Sequence, residues 1–253
     1  MTQSFQHRDI PDAEWQVRVQ LAACYRILHR LRMTDTVNTH IAARLPGRDD
    51  RFLLNSYGLL FDEIRASNLV TVDRGGQVVG PRSDVNAAGF SIHGAVFRAR
   101  SDVICSLHTH TRAGVAVSTM KCGLLPISQF AFYFKDRIGY HSYRHFGGSD
   151  DDCAVLGADL GSKNFALIME NHGLLTVGRS IPEAFLLTYY LDKACEIQIA
   201  AQGTGAELIV PDEAEMGAMA QEVDSGFGGK PFGVPEWEAL IRQLDREDPS
   251  YAD

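Results

Sequence analysis

Val103-Ile-Cys-Ser-Leu-His-Thr-His110 is an apolar run that ends on two histidines one residue apart. It is short, and Ser101-Asp102 separates it from a helical pattern upstream, so it reads as a buried strand. Successive side chains of a strand point to opposite faces. His108 and His110 therefore project together, with Thr109 turned away. Two imidazoles on one face make part of a metal site and need a further ligand from a distant segment.

On the C-terminal side, residues 164–169 (NFALIM) and 174–178 (LLTVG) are apolar runs separated by Glu170-Asn-His-Gly173, the pattern of two paired strands around a tight turn. His172 sits in that turn, where sheet pairing can carry it to the other two. Three neutral imidazoles suit zinc, iron, cobalt or manganese and leave positions open to water or substrate. Beyond the turn, Ser180-Ile-Pro-Glu183 is a capping box with proline in the first turn, opening a long apolar helix over 184–202 that Gly203 ends.

On the N-terminal side, residues 87–100 place Phe90, Ile92, Ala95, Val96, Phe97 and Ala99 at helical spacing, and residues 12–33 do the same with Trp15, Leu21, Ala22, Tyr25, Leu28 and Leu31. Between these helices, 40–45, 51–55 and 68–73 read as short strands, with Asp73-Arg-Gly-Gly-Gln77 as a hairpin turn. The stretch from Phe130 to Phe134 (FAFYF) reads either as a buried strand or as the lining of an aromatic pocket. Tyr140-His-Ser-Tyr-Arg-His145 has the composition of a polar edge strand and carries groups able to orient a carbonyl or carboxylate; Ser149-Asp-Asp-Asp152 reads as a solvated loop or helix start. The tail contains an acidic helix over 212–222, a glycine-rich loop at 225–229 and a last helix opening at Pro235.

The chain of 253 residues can bury a sizeable core, and its 45% apolar and 22% charged content is that of a globular protein. A net charge of −8 disfavours general affinity for nucleic acid or anionic membrane and points to a small-molecule partner. No run reaches the roughly 18 apolar residues of a membrane span, and residues 1–15 lack a signal-type apolar core, so a cytoplasmic location is expected. Five scattered cysteines read as reduced thiols and not as a disulfide framework.

Taken together, Gly89-Phe-Ser-Ile-His93, residues 101–110, Ala113-Gly-Val-Ala-Val-Ser-Thr-Met-Lys-Cys-Gly-Leu-Leu-Pro-Ile-Ser128 and residues 170–178 resemble the class II aldolase/adducin family, in its adducin-head-like bacterial branch, over residues 12–203. The resemblance implies an α/β protein, a three-layer α/β/α domain around a central, mainly antiparallel sheet. It also implies one divalent metal held by His108, His110 and His172, zinc first with Fe2+ or Mn2+ as alternatives, and a homo-oligomer, tetramer or dimer. Residues 1–206 form that domain; residues 207–253 are expected as a helical arm packed on it or on a neighbouring subunit.

The departures from the pattern narrow the chemistry. Sugar-phosphate aldolases of the family place two serines and then a metal-binding carboxylate where this chain has Ala87-Ala-Gly89, and a glycine-asparagine phosphate loop where it has Thr39-His40. A phosphorylated substrate is therefore disfavoured. His93, four residues from the missing carboxylate, is the candidate catalytic acid or base or a fourth metal ligand, and Glu170 a weaker candidate. The expected function is a metal-dependent lyase, aldolase or decarboxylase, acting on a small non-phosphorylated hydroxy, keto or aromatic acid through an enolate-like intermediate. Two alternatives are a non-haem Fe(II) oxygenase and a non-catalytic adducin-like binding module.

Overall fold

A computed structural model of the chain describes residues 10–80, 84–143 and 149–253. Eight strands form one sheet in the order β4-β3-β2-β1-β5-β8-β7-β6: β1 (His40–Leu45), β2 (Arg48–Leu54), β3 (Val70–Asp73), β4 (Val78–Val79), β5 (Cys105–Thr109), β6 (Ile138–His141), β7 (Ala166–Met169) and β8 (Gly173–Gly178). Every pairing is antiparallel except β6 with β7. The expected mainly antiparallel sheet is thus observed.

Helices cover both faces. On one face lie α1 (Asp12–Arg30), α3 (Arg112–Ser118), α4 (Gln129–Phe132) and α6 (Ile181–Gln202), joined by α7 (Glu213–Ser225) and α8 (Val234–Glu247); on the other lie α2 (Ala87–Ala99) and α5 (Asp150–Leu160). The first core gathers Ile41, Leu107, Ile168 and Leu174 from the strands with Leu21, Tyr25, Phe185 and Leu191 from the helices. The second gathers Ala42, Leu167, Met169, Leu175 and Val177 with Ile92, Val96, Leu156 and Leu160. β7 and β8 thus split their alternate residues between two apolar layers, which is why they read as continuous apolar runs.

Local chemistry sets the helix ends. Asp12 and Glu14 in the first turn of α1, and His29 and Arg30 in its last, complement the helix dipole. The Asn86 side chain accepts from Ala88 N and Gly89 N at the start of α2, and Ser180 accepts from Glu183 N at the start of α6. Trp237 of α8 packs edge-on against Phe185 of α6 with ring centroids 5.7 Å apart. Phe232, Trp237, Leu244 and Tyr251 belong to the same buried cluster as α1 and α6.

One expectation is corrected. Residues 129–132 form a short helix, not a strand, because the Ser128 hydroxyl caps Ala131 N and starts a turn. That turn lets Tyr133 stack on Tyr190 at 5.0 Å while Phe134 enters the core. An unbroken aromatic run carries no period, so its composition could not decide the matter. The strand read within 103–110 runs from Cys105 to Thr109, so His108 lies inside the sheet and His110 just beyond its end. Arg144 and His145 lie outside the described residues.

Candidate metal centre

The strand order collects histidines at one end of the sheet. His108, near the end of β5, pairs with His40, the first residue of β1, and with Leu175 of β8. Directly paired residues share a face, so His40 and His108 both point into the α2/α5 layer. His110 follows β5 and keeps the alternation. β7 ends at Met169 and β8 begins at Gly173, so the connecting turn carries His172 to the same end. Asn171 adopts a left-handed conformation (φ 54°), which asparagine tolerates, and a Cβ on Gly173 would lie 2.5 Å from Thr109 O. The Glu-Asn-His-Gly turn therefore packs directly against the strand bearing the histidine pair.

One ligating nitrogen from each of His108, His110 and His172 falls within 4.8 Å of the others; among the described residues this is the one such group of potential ligands. Two of the rings are oriented from behind. His108 Nδ1 lies 3.0 Å from Leu174 O, and His110 Nδ1 lies 2.9 Å from Asp35 Oδ2. A carbonyl and a carboxylate only accept, so both rings donate from Nδ1, and in the neutral form that binds metal each carries its lone pair at Nε2. Those two Nε2 atoms are 2.8 Å apart. Lone pairs that close repel unless a cation is between or beside them, and carboxylate or carbonyl support from behind is the arrangement of metal-bound histidines. The residues present fit a divalent ion.

Burial favours the neutral form of His40, His108, His172 and His93. Burial first, and neighbouring imidazoles second, hold His40 and His108 well below the ordinary histidine value. The same causes bring His172 down to about 4, and burial brings His93 to about 3. Neutral rings are the form that binds metal.

His93 is fully buried and has both nitrogens engaged: Nε2 lies 2.8 Å from His40 Nδ1, and Nδ1 lies 3.0 Å from Ser106 Oγ. It stands behind His40 and outside the three-histidine group. Glu170 is partly exposed in the turn and is also outside that group, and Asp150, Asp151 and Asp152 occupy the capped first turn of α5. Asp35 was missed by sequence reading; it lies in a polar loop 75 residues from its partner, and nothing in its neighbours marks it.

The glycine in the carboxylate position has a structural partner. A Cβ on Gly89 would sit 2.8 Å from His40 Cδ2 and 2.9 Å from its Cγ, so the His40 ring fills the space a side chain there would use. Within a helix, glycine to alanine ordinarily stabilises by about 1 kcal/mol. Gly89→Ala is expected instead to destabilise by about 1–2 kcal/mol, since His40 is pinned by His93 and overpacking costs more than the propensity gained. Urea unfolding of the metal-free variant reads the sign; a gain in stability would show that the ring moves freely.

The class II aldolase and adducin N-terminal domain family matches residues 19–199. The chain belongs to this family. An aldolase II superfamily protein from Pseudomonas syringae superposes with a TM-score of 0.90 at 44% identity, covering 98% of this chain and all of that one. The L-fuculose 1-phosphate aldolase of Glaciozyma antarctica superposes with a TM-score of 0.80 at 26% identity, covering 98% and 96%. Mouse alpha-adducin is 39% identical over 242 residues, which cover 90% of this chain and 33% of adducin. Family membership makes a metal-dependent, aldolase-type activity plausible, and the adducin likeness leaves room for a non-catalytic role. No helix among the described residues is long and apolar enough to cross a membrane.

Proposed function

We propose that the protein is a divalent-metal-dependent lyase, of aldolase or decarboxylase type, acting on a small non-phosphorylated acid. The ligands are His108, His110 and His172, with zinc the first candidate ion. The observation that carries this is the pair of Nε2 lone pairs 2.8 Å apart, each fixed by an acceptor on the opposite nitrogen. A divalent ion there supplies a Lewis acid that draws charge from a substrate oxygen as a carbon–carbon bond breaks.

The chain's own residues account for the rest. Leu174 O and Asp35 hold two ligand rings in the tautomer that leaves Nε2 free, so little reorganisation is needed on binding. The Ser106–His93–His40 chain fixes the His40 ring over Gly89 and closes the space of the absent carboxylate. We assign His93 to positioning His40. With Ala87, Ala88 and Gly89 in place of two serines and a carboxylate, there is no hydroxyl or charge there for a phosphate or for proton abstraction, which supports a non-phosphorylated substrate. The family supports a homo-oligomer.

The test is turnover of a panel of hydroxy and keto acids, beside phosphorylated sugars, by metal-loaded wild type and His172→Ala, following aldehyde, ketone or CO2 released. Cleavage of acids alone, falling to background in the variant, is expected. Equal turnover in the variant, or preference for the phosphorylated sugars, would sink the reading. The likeness to adducin favours a second reading, a binding module without turnover; a protein that takes up no metal would bring it forward.

A further inference from the structure

Another ring on the same face has an unused nitrogen. His141, the last residue of β6, is 2% exposed, and its Nδ1 lies 2.7 Å from Asp159 Oδ2. The carboxylate accepts, so the neutral ring donates from Nδ1 and presents a lone pair at Nε2. That Nε2 is buried and has no hydrogen-bond partner among the described residues. Buried polar atoms are nearly always paired, so an unpaired one asks for an occupant.

Its place in the fold says which. His141 is level with Met169 in the parallel β6–β7 pairing and shares that residue's face, and Glu170 N donates to His141 O at 2.8 Å. The end of β6 therefore runs beside the turn that carries His172, and the ring of Tyr143 stands 6.5 Å from that of His172. Asp159 reaches the site because Gly139 lets α5 approach: a Cβ there would lie 2.4 Å from Asp159 O.

We propose that His141, aligned by Asp159, is a substrate-binding residue of the metal centre whose Nε2 accepts a hydrogen bond from a substrate hydroxyl. This rests on the metal-centre reading above and narrows it to hydroxyl-bearing substrates, such as hydroxy acids. Keto and carboxylate oxygens only accept, and find no donor at this nitrogen. Asp159 is a positioning residue: it fixes the tautomer that leaves Nε2 able to accept.

Two hydroxamates that differ in one hydroxyl separate the outcomes. Zinc-loaded protein is titrated calorimetrically with acetohydroxamate and with glycolohydroxamate, at mildly alkaline pH where an ordinary imidazole is neutral. Wild type is expected to bind glycolohydroxamate about tenfold tighter, the worth of one buried hydrogen bond. In His141→Phe, and in Asp159→Ala, zinc content stays unchanged and the ratio falls toward one. Asp159 is partly exposed, so the second variant decides the matter should the first fail to fold. A ratio that persists in the folded variants overturns the proposal, as does loss of zinc from folded His141→Phe, which would make the ring a ligand. Wild type that takes up no zinc, or binds neither hydroxamate when zinc-loaded, overturns the metal-centre reading and this proposal with it.

Discussion

Replacing His108 and His110 together with alanine is expected to lower the metal content of the purified protein from about one ion per chain to about a tenth or less, read by elemental analysis. Two of three ligands go at once, and one imidazole does not hold a divalent ion against water. The effect extends to stability, because an ion bound at a thousand times its dissociation constant adds about 4 kcal/mol that the variant cannot gain. His108 is buried, so its truncation also leaves a cavity. His110→Ala alone is the control: its ring is 19% exposed and its loss removes a ligand with little packing. Asp35→Asn should weaken metal binding about 10- to 100-fold while all three ligands remain, the usual effect of removing a carboxylate behind a ligating histidine. Full metal content in the double variant would remove the basis of the enzyme reading; iron in wild type would direct the substrate screen to anaerobic conditions.

Acid is expected to destabilise the metal-free protein well above the range where carboxylates matter. His93 is held at about 3 and His172 at about 4 in the folded protein, both because burial disfavours the charged ring. In the unfolded chain both return to about 6.5. The folded-state value is depressed, so the stabilisation is fully present above about pH 6.5 and is lost as pH falls towards 4 and then 3. Each such ring contributes a slope of about 1.4 kcal/mol per pH unit. Between pH 6.5 and 5 His93 accounts for about 2 kcal/mol, and the more exposed His172 for about 1 after allowing for screening. A loss of about 3 kcal/mol is a large part of an ordinary domain's 5–15 kcal/mol. The window lies above the ordinary carboxylate range, so Asp and Glu leave it unobscured. Urea midpoints at the two pH values, with the slope of the transition unchanged, measure it; equal midpoints would show that these rings accept protons within the fold.

Both expectations come from a site whose parts differ in how far they can be read from sequence. The His-x-His pair and the Asn-His-Gly turn were legible because strand alternation and a tight turn are local rules, obeyed by residues within a few positions of each other. The same holds for the cap at Ser180 and for the proline in the first turn of α6, while the stretch at Ser149 reads as either loop or helix start. The strand alternative for the aromatic run at 130–134 fails because a single capping hydroxyl, not periodicity, sets its conformation. His93 reads as a candidate acid or base, whereas its ring lies against His40, a contact made 53 residues away that no local rule shows.

What the sequence determined by itself was the α/β class, most of the elements around the site and three candidate ligands of the right chemistry on strand and turn. Tertiary structure alone decided which acceptors stand behind them. Asp35 meets His110, Asp159 meets His141 and His40 covers Gly89 because β1, β5, β8, β7 and β6 lie side by side with their active ends together. That adjacency is set by which apolar faces bury one another across the whole sheet, and local periodicity names a face without naming its neighbour.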